Sequence, residues 1–191
     1  ILFLALVPAV TTIAVAQNVS GPPPPPPLYL MADIQVEVAR VGEYEAALKA
    51  FIAALKANAF PITFDTYATD DSRYYIVYGL ESGYGAVDGL HQAWRAAAAK
   101  IGLPKFQQLH NRMTAAELGR VFRFWTYRTD LSFLPSPERL KPSEIGYYTW
   151  DYVWILPGKE AEFEALNREW MALSAARRIR DPFMTYQGGY G

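Results

Sequence analysis

At 191 residues, 51% hydrophobic and 15% aromatic, the chain can fill one sizeable core or two small ones, which excludes a disordered protein. A net charge of −1 removes the electrostatic case for a nucleic-acid partner. With no cysteine in the chain, disulfides, thiolate catalysis and cysteine-built metal sites are excluded as well.

Residues 1–16 form an uncharged apolar run, interrupted by Pro8 and ending in Ala14-Val15-Ala16. The run is shorter than the roughly 20 residues of a membrane-spanning helix. Its small terminal residues fit a signal-peptidase site before Gln17. The expectation is a signal peptide and a secreted or periplasmic protein, with no membrane contact after cleavage; an uncleaved anchor is the rival reading. Residues 17–27 end in a run of prolines, Pro22 to Pro27. Prolines lack N–H donors and hold φ fixed, so this stretch predicts a stiff spacer. A ligand for a proline-recognising domain is the alternative.

From Leu28 to Ala39 the residues alternate: Leu28, Leu30, Ala32, Ile34, Val36 and Val38 on one face, Tyr29, Met31, Asp33, Gln35 and Glu37 on the other. That period of two predicts a strand with one aliphatic face. Glu43 to Asn58 carries Tyr44, Leu48, Phe51, Ile52 and Leu55 at helical spacing, with Pro61 barring continuation. Ile62 to Thr69 and Arg73 to Leu80 predict two strands of a hairpin around Asp70-Asp71-Ser72. A helix over Ala86 to Lys100 should bury Val87, Leu90, Trp94, Ala98 and Ile101. A second, over Pro104 to Leu118, should bury Phe106, Leu109 and Met113, with Gly119 as its cap. Arg120 to Thr129 predicts a fourth strand.

Residues 28–130 thus read βαββααβ, the split βαβ or ferredoxin-like order with one extra helix. Residues 131–144, with Pro135, Pro137 and Pro142, read as a linker. Residues 145–191 then begin the unit again: a strand over Ile145 to Leu156, a helix over Lys159 to Arg177 and a strand over Phe183 to Tyr190. The helix copies the first one. Glu43-Tyr44-Glu45-Ala46 answers Glu162-Phe163-Glu164-Ala165, and Phe51 answers Trp170. Phe163, Leu166, Trp170 and Leu173 are expected to be buried, the aromatic position facing the sheet. The second copy reads only βαβ, so the expectation is an incomplete second unit in a chain that continues past both ends. The fold class is α+β: tandem ferredoxin-like units, antiparallel sheets, helices on one face of each.

A strand, a glycine turn (Gly42, Gly158), the E-[YF]-E-A-x-x-[KR]-x-[FW] helix and a proline-led strand (Pro61, Pro182) together resemble the dimeric α+β barrel superfamily in its fused two-repeat form. In style the chain is similar to NIPSNAP-type proteins and antibiotic-biosynthesis-monooxygenase-like domains. The resemblance covers residues 28–191. It implies two sheets face to face with helices outside, pockets between sheet and helices, and either a monomer with pseudo-dimeric sheets or a homodimer. The superfamily includes cofactor-free oxygenases, haem-degrading enzymes and chlorite dismutases, so the resemblance selects no single chemistry.

Candidate site residues are few. His91 and His110 each follow an inward leucine, placing them at the border between buried and wet faces. Imidazole there serves as an acid/base or haem ligand, or simply as a boundary residue. No paired-histidine metal motif is present. Gly85-Ala86-Val87-Asp88-Gly89 fits a G-x-x-D-G pattern similar to the distal haem motif of dye-decolourising peroxidases. Asp88 is more simply an anion in a first helical turn. Asp33 and Glu37 share a strand face, and Arg73 and Arg123 lie on strands expected beside it. They read as an acid/base pair or, more plainly, as cross-strand ion pairs. The strand aromatics, with Tyr67 and Trp94, could line a cavity for a flat ligand or fill a core. The functional expectation is binding of an aromatic or hydrophobic small molecule, with cofactor-free or haem-linked oxidation as its extension. The alternative is a non-enzymatic envelope or secreted module that serves assembly. The cofactor stays open between none and haem.

Overall fold

The computed structural model describes residues 2–5, 28–135 and 144–188. The chain divides into two compact units, one over residues 27–124 and one over residues 125–189 with the N-terminal residues. The division falls inside a strand, at Phe124. Residues 6–16 of the expected leader and all of the expected proline spacer lie outside the described residues, as do residues 136–143 of the expected linker.

In the first unit, β2 (Leu28–Val36) pairs antiparallel with β4 (Arg73–Leu80), and β4 with β3 (Asp65–Ala68). The sheet order is β3-β4-β2-β5, where β5 is Glu117–Tyr127. That is the ferredoxin-like arrangement, with α1 (Val41–Ala57), α2 (Ala86–Ile101) and α3 (Leu103–Thr114) as its helices. The period-two pattern of β2 sends Leu28, Leu30, Ala32, Ile34 and Val36 into one core with Tyr44, Leu48, Phe51 and Leu55 of α1. Each such side chain contributes about 1.5–3 kcal/mol when removed from water. The other face is not wet, as a one-faced strand would require: Met31 and Asp33 are also buried.

Several boundaries differ from the sequence expectation: β3 is Asp65–Ala68 rather than Ile62–Thr69, α3 ends at Thr114 rather than Leu118, and β5 starts at Glu117 rather than Arg120. Val38 is exposed rather than a strand residue, because β2 ends at Val36 and a 3-10 turn follows over Val38–Arg40. Gly119 lies within β5 rather than capping a helix. The backbone N–H of Glu37 donates to the Ala116 carbonyl at 2.9 Å and Arg40 Nη1 donates to the Ala115 carbonyl, so the chain leaves α3 early and straightens. Asn58 does stop α1; its Nδ2 donates to the Ala54 carbonyl at 2.8 Å, and Ala59 follows at φ 50°.

The second unit holds β6 (Trp150–Val153), α4 (Glu160–Ala176) and β7 (Met184–Gly188), with β1 (Leu2–Ala5) antiparallel to both strands. β7 also pairs with the end of β5, Trp125 opposite Gly188. A side chain at Gly188 would place its Cβ 2.8 Å from the Trp125 ring, so the pairing requires glycine there. Arg128 gathers this unit's charges. Its Nε donates to Asp130 at 2.8 Å and its Nη1 to Glu164 at 2.8 Å and to Gln187 at 2.9 Å.

The expected burial of the α4 stripe is corrected. Leu166, Trp170 and Leu173 are exposed, while Asn167 and Ser174 are buried. These two occupy the positions of Leu48 and Leu55 in α1. The buried stripe of α4 therefore runs through Asn167 and Ser174, with Phe163 and Met171 half-buried beside it and Leu166, Trp170 and Leu173 facing outward.

Candidate functional site

A cavity of about 430 Å³ lies in the first unit, lined by residues of α1, α2, α3 and strands β2, β4 and β5. Its wall is mostly apolar, which is the ordinary character of small-molecule sites. Helical spacing builds the α2 side: Leu90, His91, Trp94, Arg95 and Ala98 recur at intervals of three and four and share one face. Phe106, His110 and Met113 do the same on α3. Leu30 and Ala32 of β2, with Ile76 and Tyr78 of β4, supply the sheet side by alternation.

Aromatic rings give this wall its shape. Phe51 stacks on Trp94 with centroids 5.8 Å apart and planes 9° from parallel, and meets Phe106 edge-on at 5.4 Å. Trp94 also packs on Phe60 at 4.6 Å. The His110 ring lies edge-on to Phe51 at 6.4 Å. Such pairs contribute about 0.5–1.5 kcal/mol each beyond their buried area. Burial pushes the Tyr78 phenol up to about 12, so this lining residue stays neutral and can donate a hydrogen bond. Below it, burial raises the Tyr44 hydroxyl above the phenol range, with the nearby Glu117 adding to the effect. Tyr74, raised to about 12 by burial first, donates to Glu45 at 3.0 Å.

The structure brings together three of the six candidates. His91, His110 and Trp94 all line the cavity. Asp33 and Tyr67 do not. Tyr67 pairs with Tyr75, and Tyr75 with Asp33, which places all three on the other face of the sheet. Asp33 is spent on two guanidiniums, accepting from Arg73 Nη1 at 2.9 Å and Arg123 Nη1 at 2.6 Å. That is the plainer cross-strand reading. Glu37 is exposed at the start of the 3-10 turn. Asp88 sits in the first turn of α2, as its simpler reading required. The residues missed in the sequence are Arg95, Arg120, Phe106 and Phe122, all on the cavity wall. Arg95 lies four residues after His91, but an exposed arginine at that spacing carries no signal of its own.

The cavity fits a haem poorly. An axial imidazole normally has its second nitrogen held by a partner, and neither His91 nor His110 has a side-chain hydrogen bond among the described residues. No cluster of three metal-ligating side chains occurs among the described residues. No described helix is long and apolar enough to cross a membrane.

The fold and cavity define a ferredoxin-like α+β unit with an apolar pocket between sheet and helices. No family model matches the chain, and no curated protein does. Solved structures similar to it include a NIPSNAP family protein from Agrobacterium tumefaciens, at 14% identity and TM-score 0.43, covering 54% of this chain and 87% of that one. An antibiotic biosynthesis monooxygenase is similar at 8% identity and TM-score 0.36, covering 51% and 94%. A conserved protein from Methanosarcina mazei is similar at 14% identity and TM-score 0.37, covering 52% and 90%. The first two belong to the groups that the repeated helix resembles. Likenesses of this size carry no functional argument, which rests on the residues of the site itself.

Proposed function

We propose that the first unit binds an aromatic or hydrophobic small molecule in the cavity between its sheet and its helices. The observation that carries this reading is the cavity wall, about 430 Å³ of space enclosed by Phe51, Trp94, Phe106 and aliphatic neighbours. The reading stops at binding. General acid–base chemistry needs an oriented proton carrier, and the two imidazoles have no orienting partner among the described residues. Calorimetric titration of the full chain with a neutral naphthalene probe tests it. Saturable one-to-one binding is expected, and Ala98→Phe, which fills the wall, should abolish it with the circular dichroism unchanged. Binding that persists in Ala98→Phe overturns the reading.

Export belongs to the same proposal, supported by the apolar run ending Ala14-Val15-Ala16. Cleavage before Gln17 would remove Leu2–Ala5, which pairs with β6 and β7. Export with cleavage and retention of β1 are therefore alternatives, and the N-terminal residue of the mature protein decides between them. A second reading, a module serving assembly as a homodimer, draws on the exposed Leu166, Trp170 and Leu173 of α4. Sedimentation of wild type against Trp170→Gln tests it; an unchanged monomer sinks it.

A further inference from the structure

We infer that the ligand is an amphipathic acid, an apolar body carrying one carboxylate, with Arg95 as the partner of that carboxylate. This rests on the cavity reading and names the ligand class of the same site. The titratable side chains on the wall are His91, Arg95, His110, Arg120 and Tyr78; no aspartate or glutamate lines it. Arg120 is already neutralised. Its Nε and Nη2 donate to Glu117 at 3.1 and 2.5 Å. Arg95 is different: among the described residues it has no carboxylate and no hydrogen-bond partner. It is exposed at the cavity rim, on the same helical face as Trp94, which packs inside.

An unmatched guanidinium at the edge of an otherwise apolar wall sets the ligand's polarity. A neutral hydrocarbon would fill the wall and leave Arg95 to water. A cation would be repelled. An acid buries its apolar body against Phe51, Trp94 and Phe106 and places its charged end where the guanidinium can take it in a forked pair. Such a rim pair contributes less than a buried one because solvent competes for both charges. It is worth roughly a two- to fivefold gain in affinity. In a chain of net charge −1 this preference cannot come from general attraction of anions.

The test compares 2-naphthoate with 2-naphthamide, two probes of nearly equal shape and different charge, by calorimetric titration of the full chain. Naphthoate is expected to bind about two- to fivefold more tightly. Arg95→Gln should erase that difference and leave the naphthamide affinity unchanged, and Arg95→Glu should reverse the order. Added salt should weaken naphthoate alone. Equal affinities in the wild type, or a naphthoate preference that survives Arg95→Glu, overturns the inference while the cavity reading stands. Failure of both probes to bind overturns the cavity reading and this inference with it.

Discussion

α1 and α4 begin with the same acidic first turn, run for the same length and carry an aromatic residue at the same position, yet their surroundings differ. Phe51 of α1 is 5% exposed and Trp170 of α4 is 54% exposed. Phe51 is covered because α2 and α3 bring Trp94 and Phe106 against it. No described element does the same for Trp170. The cavity therefore needs the α2–α3 pair in addition to the repeated helix, which supplies only Leu48, Phe51 and Ile52 of its wall. The repeat specifies a helix on a sheet; the site needs the layer outside it.

The sharpest way to break this comparison is truncation at the paired aromatic positions. Phe51→Ala should cost about 3–5 kcal/mol in denaturant unfolding, since it empties a packed site. A loss below about 1 kcal/mol would show that α2 and α3 close over the gap. A smaller effect of opposite sign comes from importing the α1 residue into α4. Asn167 is buried, and its Oδ1 has no partner among the described residues. Asn167→Leu, which copies Leu48, should raise stability by about 1–2 kcal/mol. Destabilisation instead would mean that the amide holds a bond the fold needs.

Titration separates the two units by sign. Tyr74 and Tyr78 of the first unit, raised from 10.0 to about 12, contribute stability that is whole below pH 10 and lost as pH rises through 12. Asp130 of the second unit is held down to about 2 by hydrogen bonds from Arg128 first. Its contribution is whole above about pH 4 and is lost as pH falls toward 2. Asp130→Asn should flatten the acid limb of a stability profile and leave the alkaline limb alone. A change in the alkaline limb would break the assignment. The smallest expected effect is at the exposed copy. Trp170→Gln should shift stability by no more than about 0.5 kcal/mol, and a larger loss would reveal cover over α4.

Much of the fold was legible in the residues. Alternation in β2, the α1 stripe and the hairpin around Asp70 appear where their periods place them. On α2 only Leu90 of the expected stripe is buried; Val87, Trp94, Ala98 and Ile101 are half-buried, and Ala93 and Ala97 take the core positions. The α3 end was not, because it is set by Arg40 and Glu37 reaching Ala115 and Ala116 from far along the chain. The α4 stripe was misread for a related reason. Periodicity shows that Leu166, Trp170 and Leu173 share a face but not whether anything covers it. Half of the site was legible, as His91, His110 and Trp94 lie on helices whose faces were readable. Arg95 was not singled out, because an arginine on an exposed helix face means nothing until a cavity is seen beside it. Attention to strand aromatics also pointed away from the site, whose rings come largely from α1, α2 and α3.

Gly102 carries one more consequence. It alone separates α2 from α3, at φ 89°, a conformation glycine adopts at little cost. These helices hold two walls of the cavity, so rotation about one residue changes the width of the gap between Trp94 and Phe106. A side chain at position 102 would have to take up that strained φ, and the spacing of the two walls would shift with it.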